Sequence, residues 1–142
     1  MTGVAEAVAA RPFAGLSCTP IVRGEHSGGA YSMVEIAAEP SNGSPLHVSH
    51  EEDKAFYVVD GAFRIRIGDR VMTAGPGASV RVPRGVAHEF TSVGFDTGRL
   101  LLTVTPAGHE EMLEALDRLP RYPHPTQVSG VLERYGVELL SS

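Results

Sequence analysis

The chain has 142 residues, an apolar share of 42% and a formal charge of −5. That length builds a single domain with a real core, and the negative balance leaves no electrostatic case for nucleic acid or an anionic membrane surface. No apolar run approaches a membrane span, Cys18 is the only cysteine and so has no internal disulfide partner, and Met1 to Ala10 lacks the basic segment of a signal peptide; a cytoplasmic setting is the expectation.

Sixteen glycines and ten prolines announce many tight turns, which suit short strands better than long helices. Residues 1–15 are small and Ala-rich and read as a flexible tail. Cys18 to Arg23 is a short candidate strand, followed by a turn over Gly24 to Gly29 in which His26 is solvated. Ala30 to Ala38 is the first convincing strand, with Tyr31, Met33 and Glu35 on one face and Val34 and Ile36 on the other. If the odd face lines a cavity, Glu35 is a buried carboxylate in need of a partner; if the even face does, Glu35 meets solvent, the commoner arrangement.

Leu46 to Ser49 and Ala55 to Val59 are strands joined by the acidic loop His50-Glu51-Glu52-Asp53. Phe63 to Ile67 alternates, with Phe63, Ile65 and Ile67 to one side and Arg64 and Arg66 to the other. Further strands are expected near Val71, over Ser79 to Val82, and from His88 through Phe90. Arg99 to Thr105 is apolar almost throughout, which predicts burial on both sides. Strands this short at such regular spacing predict an all-β fold, a closed or two-sheet barrel, over residues 16–106. Residues 107–142 change character. Helices are predicted over Glu110 to Leu119, ended by Pro120, and over Gln127 to Tyr135, capped by Gly136. This C-terminal extension is expected to pack on the outside of the barrel.

Two stretches carry the chemistry. The first places His47, Ser49, Lys54 and Gly61 in order; the second places Gly77, Pro83, Gly85, His88 and Ser92. Together they resemble the two sequence motifs of the cupin superfamily. There the first motif reads glycine, five residues, His-x-His, three or four residues, Glu, six residues, Gly, and the second reads Gly, five residues, Pro-x-Gly, two residues, His, three residues, Asn. This chain keeps His47, Gly61, Gly77, Pro83, Gly85 and His88. Ser49 stands for the second histidine, Lys54 for the glutamate and Ser92 for the asparagine. The likeness is greatest to single-domain cupins of the quercetin 2,3-dioxygenase-like type and runs from about Arg23 to the C-terminus. It implies a cupin (jelly-roll) β-barrel with two short C-terminal helices, and a homodimer whose subunits pair along an exposed strand edge near the N-terminus.

In such a family a full site of three histidines and one glutamate binds iron, nickel, manganese or zinc. Carried over position by position, only His47 and His88 remain, and protein metal sites usually supply three or four ligands. A protonated lysine some 4 Å from a divalent ion repels it by roughly 8 kcal/mol at an effective dielectric near 20. His50 or Asp53 completes a site only by disturbing strand alternation. The expectation is therefore a degenerate metal motif with no cofactor, the alternative being Fe, Ni, Mn or Zn on His47 and His88. A lysine inside a barrel must pair with a carboxylate, hold an anion or lose its proton; the other reading of Lys54 places it at the barrel mouth, reaching back to Asp53 or Glu52. His47, His88 and Lys54 are the candidate acid/base set, with Ser49 as a hydrogen-bond partner. Phe56, Phe63, Ile65 and Phe90 are candidate apolar walls, and Tyr31 and Met33 are candidates to close one end.

The leading functional expectation is a metal-independent enzyme of cyclase or isomerase type, acting on a small hydrophobic, natural-product-like molecule. The alternatives are a metal-dependent quercetinase-like dioxygenase with altered ligands and a non-catalytic small-molecule-binding protein.

Overall fold

The structure, a computed structural model, describes residues 13 and 15–141. Most of the expected N-terminal tail, and Ser142, lie outside the described residues. The strands are β1 (Leu16–Val22), β2 (Ser32–Ala38), β3 (His47–Ser49), β4 (Asp53–Asp60), β5 (Phe63–Ile67), β6 (Arg70–Ala74), β7 (Ser79–Val82), β8 (His88–Ser92), β9 (Gly98–Thr105) and β10 (Val137–Leu139). Helices α1 (His109–Asp117) and α2 (Pro125–Arg134) fall between β9 and β10. None of the described helices is long and apolar enough to cross a membrane.

Two five-stranded antiparallel sheets face each other, in the orders β1-β2-β9-β4-β7 and β10-β3-β8-β5-β6. This is the two-sheet barrel that strand spacing predicts, with the jelly-roll form that the resemblance implies. The interior is filled by alternate residues of each strand. Val34 and Ile36 of β2, Leu100 and Leu102 of β9, and Phe56 and Val58 of β4 meet Phe63, Ile65 and Phe90 from the opposite sheet. A second apolar cluster joins Met112 and Leu116 of α1 to Val128 and Leu132 of α2 and Val137 of β10.

The structure settles the open reading of β2 and corrects the sequence reading at three other places. In β2 the even face is the inner one, so Met33 and Glu35 lie on the outer, half-buried side, and Tyr31 is exposed just before the strand. Glu35 pairs there with Arg99 at 3.1 Å. β9 is not buried on both sides. Leu100, Leu102 and Val104 are buried, while Leu101 and Thr103 are only half-buried and Arg99 is exposed. It sits between β2 and β4, and its apolar run reflects a central position in the sheet. The segment from residue 107 is not a purely helical extension, because β10 pairs with β3 and becomes the edge of the second sheet. Nor does α1 pack wholly on the outside: His109 and Leu113 face the barrel interior, so α1 roofs the barrel mouth.

The chain enters β3 through a tight crossing. Gly43 bridges Thr91, and the Ser44 N–H donates to the Phe90 carbonyl at 3.0 Å. A Cβ on Gly43 would lie 1.8 Å from that carbonyl oxygen, whereas a Cβ on Gly130 of α2 would meet nothing within 4 Å. Gly43→Ala is therefore expected to destabilise the fold by about 3 kcal/mol or more, and Gly130→Ala to stabilise it by about 0.5–1 kcal/mol through helix propensity. Urea unfolding of the two variants checks both signs.

Candidate functional site

Sequence places His47 and His88 at the starts of β3 and β8, and these residues are direct register partners. Lys54 lies on the inner side of β4, between Val82 of β7 and Val104 of β9. It therefore reaches across the barrel from the opposite sheet. Its Nζ lies 3.2 Å from His47 Nε2 and 3.2 Å from His88 Nε2. All three side chains are buried, Lys54 being 3% exposed. Lys54 thus faces inward with Phe56 and Val58, and does not reach back to Asp53, which instead holds Arg84 at 3.0 Å.

The second motif sets His88 through its turn. Gly85 adopts φ 82°, a conformation that disfavours a side chain, and its N–H donates to the Ser49 carbonyl at 2.9 Å. The Arg84 N–H donates to Asp53 Oδ1 at 2.9 Å. The turn is thereby fastened to both β3 and the start of β4.

Local hydrogen bonds fix the tautomers. His47 Nδ1 lies 2.8 Å from the Pro45 carbonyl, and His88 Nδ1 lies 3.0 Å from the Val86 carbonyl. A carbonyl only accepts, so both Nδ1 atoms carry the proton. In neutral imidazoles both Nε2 lone pairs then point at Lys54, whose ammonium donates to each. Burial, followed by the Lys54 charge, pushes both imidazoles down: His47 well below its ordinary value and His88 to about 4. Burial also lowers Lys54, to about 8, against the opposing pull of the Glu52 carboxylate. Near neutral pH the site is one ammonium donating to two neutral imidazoles.

Two further groups belong here. Glu52 and His109 are both buried, and His109 Nδ1 lies 3.4 Å from Glu52 Oε1. Burial raises the Glu52 pKa, but the His109 hydrogen bond and the charges of His109 and Lys54 outweigh it and hold Glu52 below its usual range. Sequence reasoning missed His109 because it lies outside both motifs, at the first position of α1. A signal for Lys54 was also present: it is the only lysine among twelve Lys and Arg residues.

The cavity beside Lys54 measures about 10 Å³, room for about one water. Ile36, Phe56, Phe90 and Leu102 wall it from the sheets, and His109 and Leu113 from α1. Phe56 and Phe90 thus take the place expected of them. Phe63 and Ile65 are buried core residues behind this wall, with Phe63 edge-on to Phe90 at 6.1 Å. Tyr31 and Met33, on the outer side of the barrel, do not close the cavity. Ser49 is buried, but its Oγ has no hydrogen-bond partner among the described residues, so it does not support the histidines as expected. His50 turns outward to Glu138 at 3.0 Å. A groove of about 230 Å³ between β1 and α1 adjoins the cavity and shares Phe13, Leu16, Cys18 and Leu113 with it.

The donor set does not fit a divalent metal. Two imidazole nitrogens converge on one point, but Lys54 Nζ already lies within hydrogen-bond distance of both. Among the described residues no three His, Cys, Asp or Glu side chains gather as a metal-holding group. Lys54→Glu replaces the repelling charge with a ligand, and is expected to bind Zn²⁺ at least about tenfold more tightly than the wild type by isothermal titration. Equal affinities would show that Lys54 is not what bars the metal.

The lysine also carries a pH signature. Because its folded pKa of about 8 lies below the ordinary 10.5, the unfolded chain binds more protons between those values, and stability rises with pH across that window. Relative to Lys54→Met, the wild type is expected to gain about 3 kcal/mol between pH 8 and 10.5. Urea melts at several pH values measure this, and parallel profiles would mean that Lys54 titrates as a free amine.

Comparison with known proteins agrees with this architecture. The sequence matches the cupin domain family over residues 34–104. No curated protein matches it. Among solved structures, an RmlC-like cupin from Shewanella frigidimarina is 22% identical, with 68% of this chain and 81% of that one covered and a TM-score of 0.59. A double-stranded β-helix protein from Klebsiella pneumoniae is 13% identical, covers 89% of this chain and 85% of its own, and gives a TM-score of 0.62. A cupin-superfamily sugar phosphate isomerase from Silicibacter pomeroyi is 23% identical over 64% of this chain and 59% of its own, with a TM-score of 0.56. The two motif strands, the facing sheets and the family match together place this chain in the cupin family.

Proposed function

We propose that this cupin is a metal-independent catalyst of proton transfer, of isomerase or cyclase type, acting on a small hydrophobic carbonyl compound. The observation that carries the reading is the Lys54 ammonium within 3.2 Å of two imidazole Nε2 atoms inside an apolar barrel. An ammonium has three N–H donors. Two are directed at imidazoles, and the third is available to a ligand oxygen. It would stabilise the oxyanion that develops when a carbon acid beside a carbonyl loses its proton. A lysine with a pKa of about 8 has a neutral fraction near neutral pH; that amine takes the proton from carbon, becomes the ammonium that donates to the oxyanion, and returns the proton at another position. Glu52 and His109 supply a second polar pair at the roof.

The quercetinase-like alternative requires ligands beyond His47 and His88; His50 and Asp53 are engaged with Glu138 and Arg84, and Ser49 offers only a neutral hydroxyl. The cavity of about 10 Å³ beside Lys54 is as small for the non-catalytic binding alternative as for catalysis. Catalysis on anything larger than water draws on the adjoining groove and on displacement of the shared wall. A homodimer formed along the open edge of β1, where Ile21 is exposed, and a cytoplasmic setting belong to the same proposal.

The test is solvent exchange. Incubated in D₂O with a panel of small apolar ketones and enones, the wild type is expected to place deuterium at the carbon beside the carbonyl, read by proton NMR. Lys54→Met should lose at least about a hundredfold in rate. Saturable binding without exchange would favour the binding-protein reading, and exchange undiminished in Lys54→Met would remove Lys54 from the chemistry.

A further inference from the structure

We propose that Lys54 acts covalently, capturing small apolar aldehydes or ketones as a Schiff base whose protons are relayed by His47 and His88. This deepens the proton-transfer reading and rests on it for the site, while adding a bond to the substrate. Imine formation from an ammonium and a carbonyl compound releases one water. The nitrogen pair forms the new bond to carbon, the C=O bond breaks, and two protons leave nitrogen and end on the departing oxygen. The product is a protonated imine, so atoms and charge balance without any further reactant. The structure supplies two proton acceptors for those two protons. Each Nε2 lies 3.2 Å from Nζ, and each is fixed as an acceptor because its Nδ1–H is committed to a backbone carbonyl.

Three further observations point the same way. The chain carries eleven arginines and one lysine, and that lysine is buried in the barrel. Arginine serves surface charge equally well, but its guanidinium does not lose a proton in proteins, whereas a desolvated lysine becomes a nucleophile. Apart from Lys54, His47 and His109, the cavity walls are apolar, which limits the water that would hydrolyse an imine. Cys18, which lines both the cavity and the groove, does not compete for the carbonyl, because burial and then the Asp117 charge raise its thiol to about 11 and keep it protonated. A substrate approaches through the groove of about 230 Å³, separated from Lys54 by the Phe13, Leu16 and Leu113 side chains. That volume suits short carbonyl compounds rather than drug-sized ones.

The test is reductive trapping. Wild-type protein is incubated at pH 7 with acetaldehyde or butanone and sodium cyanoborohydride, then analysed by intact mass and peptide mapping. The expected result is one alkyl group on Lys54, formed about tenfold or more faster than on N-acetyl-lysine in the same tube, and absent from folded Lys54→Arg. Trapping at Lys54 no faster than on N-acetyl-lysine overturns the covalent step. If deuterium exchange still depends on Lys54 in that case, the non-covalent reading stands and only the imine falls; if neither is seen, both fall together. Because the adduct is mapped on the wild type, the result does not depend on a variant that fails to fold.

Discussion

A buried ammonium held by two imidazole nitrogens governs the centre of this barrel. Lys54 comes from one sheet and His47 and His88 from the other, so the contact spans the core. An unpaired charge there would be prohibitively costly. Two neutral acceptors at 3.2 Å offset part of that cost without bringing in a countercharge. The remainder appears as the lowered pKa of the lysine. A directly paired carboxylate would have held the proton firmly and made the lysine inert near neutral pH. Glu52 raises the Lys54 pKa from a distance, while its own hydrogen bond goes to His109. It therefore balances the charge without quenching the acidity.

The surroundings are arranged to keep that geometry. The Pro45 and Val86 carbonyls each lie two residues before the histidine they hold, so the tautomers depend on the local turns rather than on distant packing. Those turns are fastened in their own right, through Gly85 to Ser49 and through Arg84 to Asp53. β10 then covers the outer edge of β3, pairing Leu139 with His47 itself. The C-terminal segment thus has two roles at the site: α1 supplies His109 as roof, and β10 buttresses the strand that bears His47.

Much of this was legible in the sequence. His47 and His88 follow from motif spacing, and the succession of short strands along the chain follows from the glycine and proline punctuation. Parity puts Lys54 on the face of Phe56 and Val58, since strand residues two apart share a face, but it leaves open whether the side chain enters the cavity or reaches back at the barrel mouth; the distances to His47 and His88 decide for the cavity. Parity also leaves the inner face of β2 open. In β2 both faces carry apolar residues, and nothing local distinguishes Met33 from Val34; the choice is made by pairing with β9, a contact about 70 residues away in sequence. His109 was invisible for a different reason. A helix start on the surface and a helix start over a barrel mouth have the same sequence signature, and only tertiary packing separates them. The role of β10 was hidden likewise, because three residues are too few to show alternation.

The exchange at position 54 changes the kind of acid at this point rather than removing it. In a metal-bearing cupin the Nε2 lone pairs converge on a divalent cation, a Lewis acid that keeps its charge throughout a reaction. Here the same two lone pairs converge on a Brønsted acid. An ammonium carries less charge and polarises a carbonyl less strongly, but it can surrender a proton and become a neutral base or nucleophile in place, which a metal ion cannot. Redox chemistry at that point is not within reach of an amine, whereas proton relocation and carbonyl addition are. The low pKa values of the two imidazoles keep them neutral near pH 7, so their Nε2 lone pairs stay free to accept from Lys54. Of the three motif departures, Ser49, Lys54 and Ser92, the one at position 54 places a cation where the two imidazole nitrogens converge, while the fold around it stays the same.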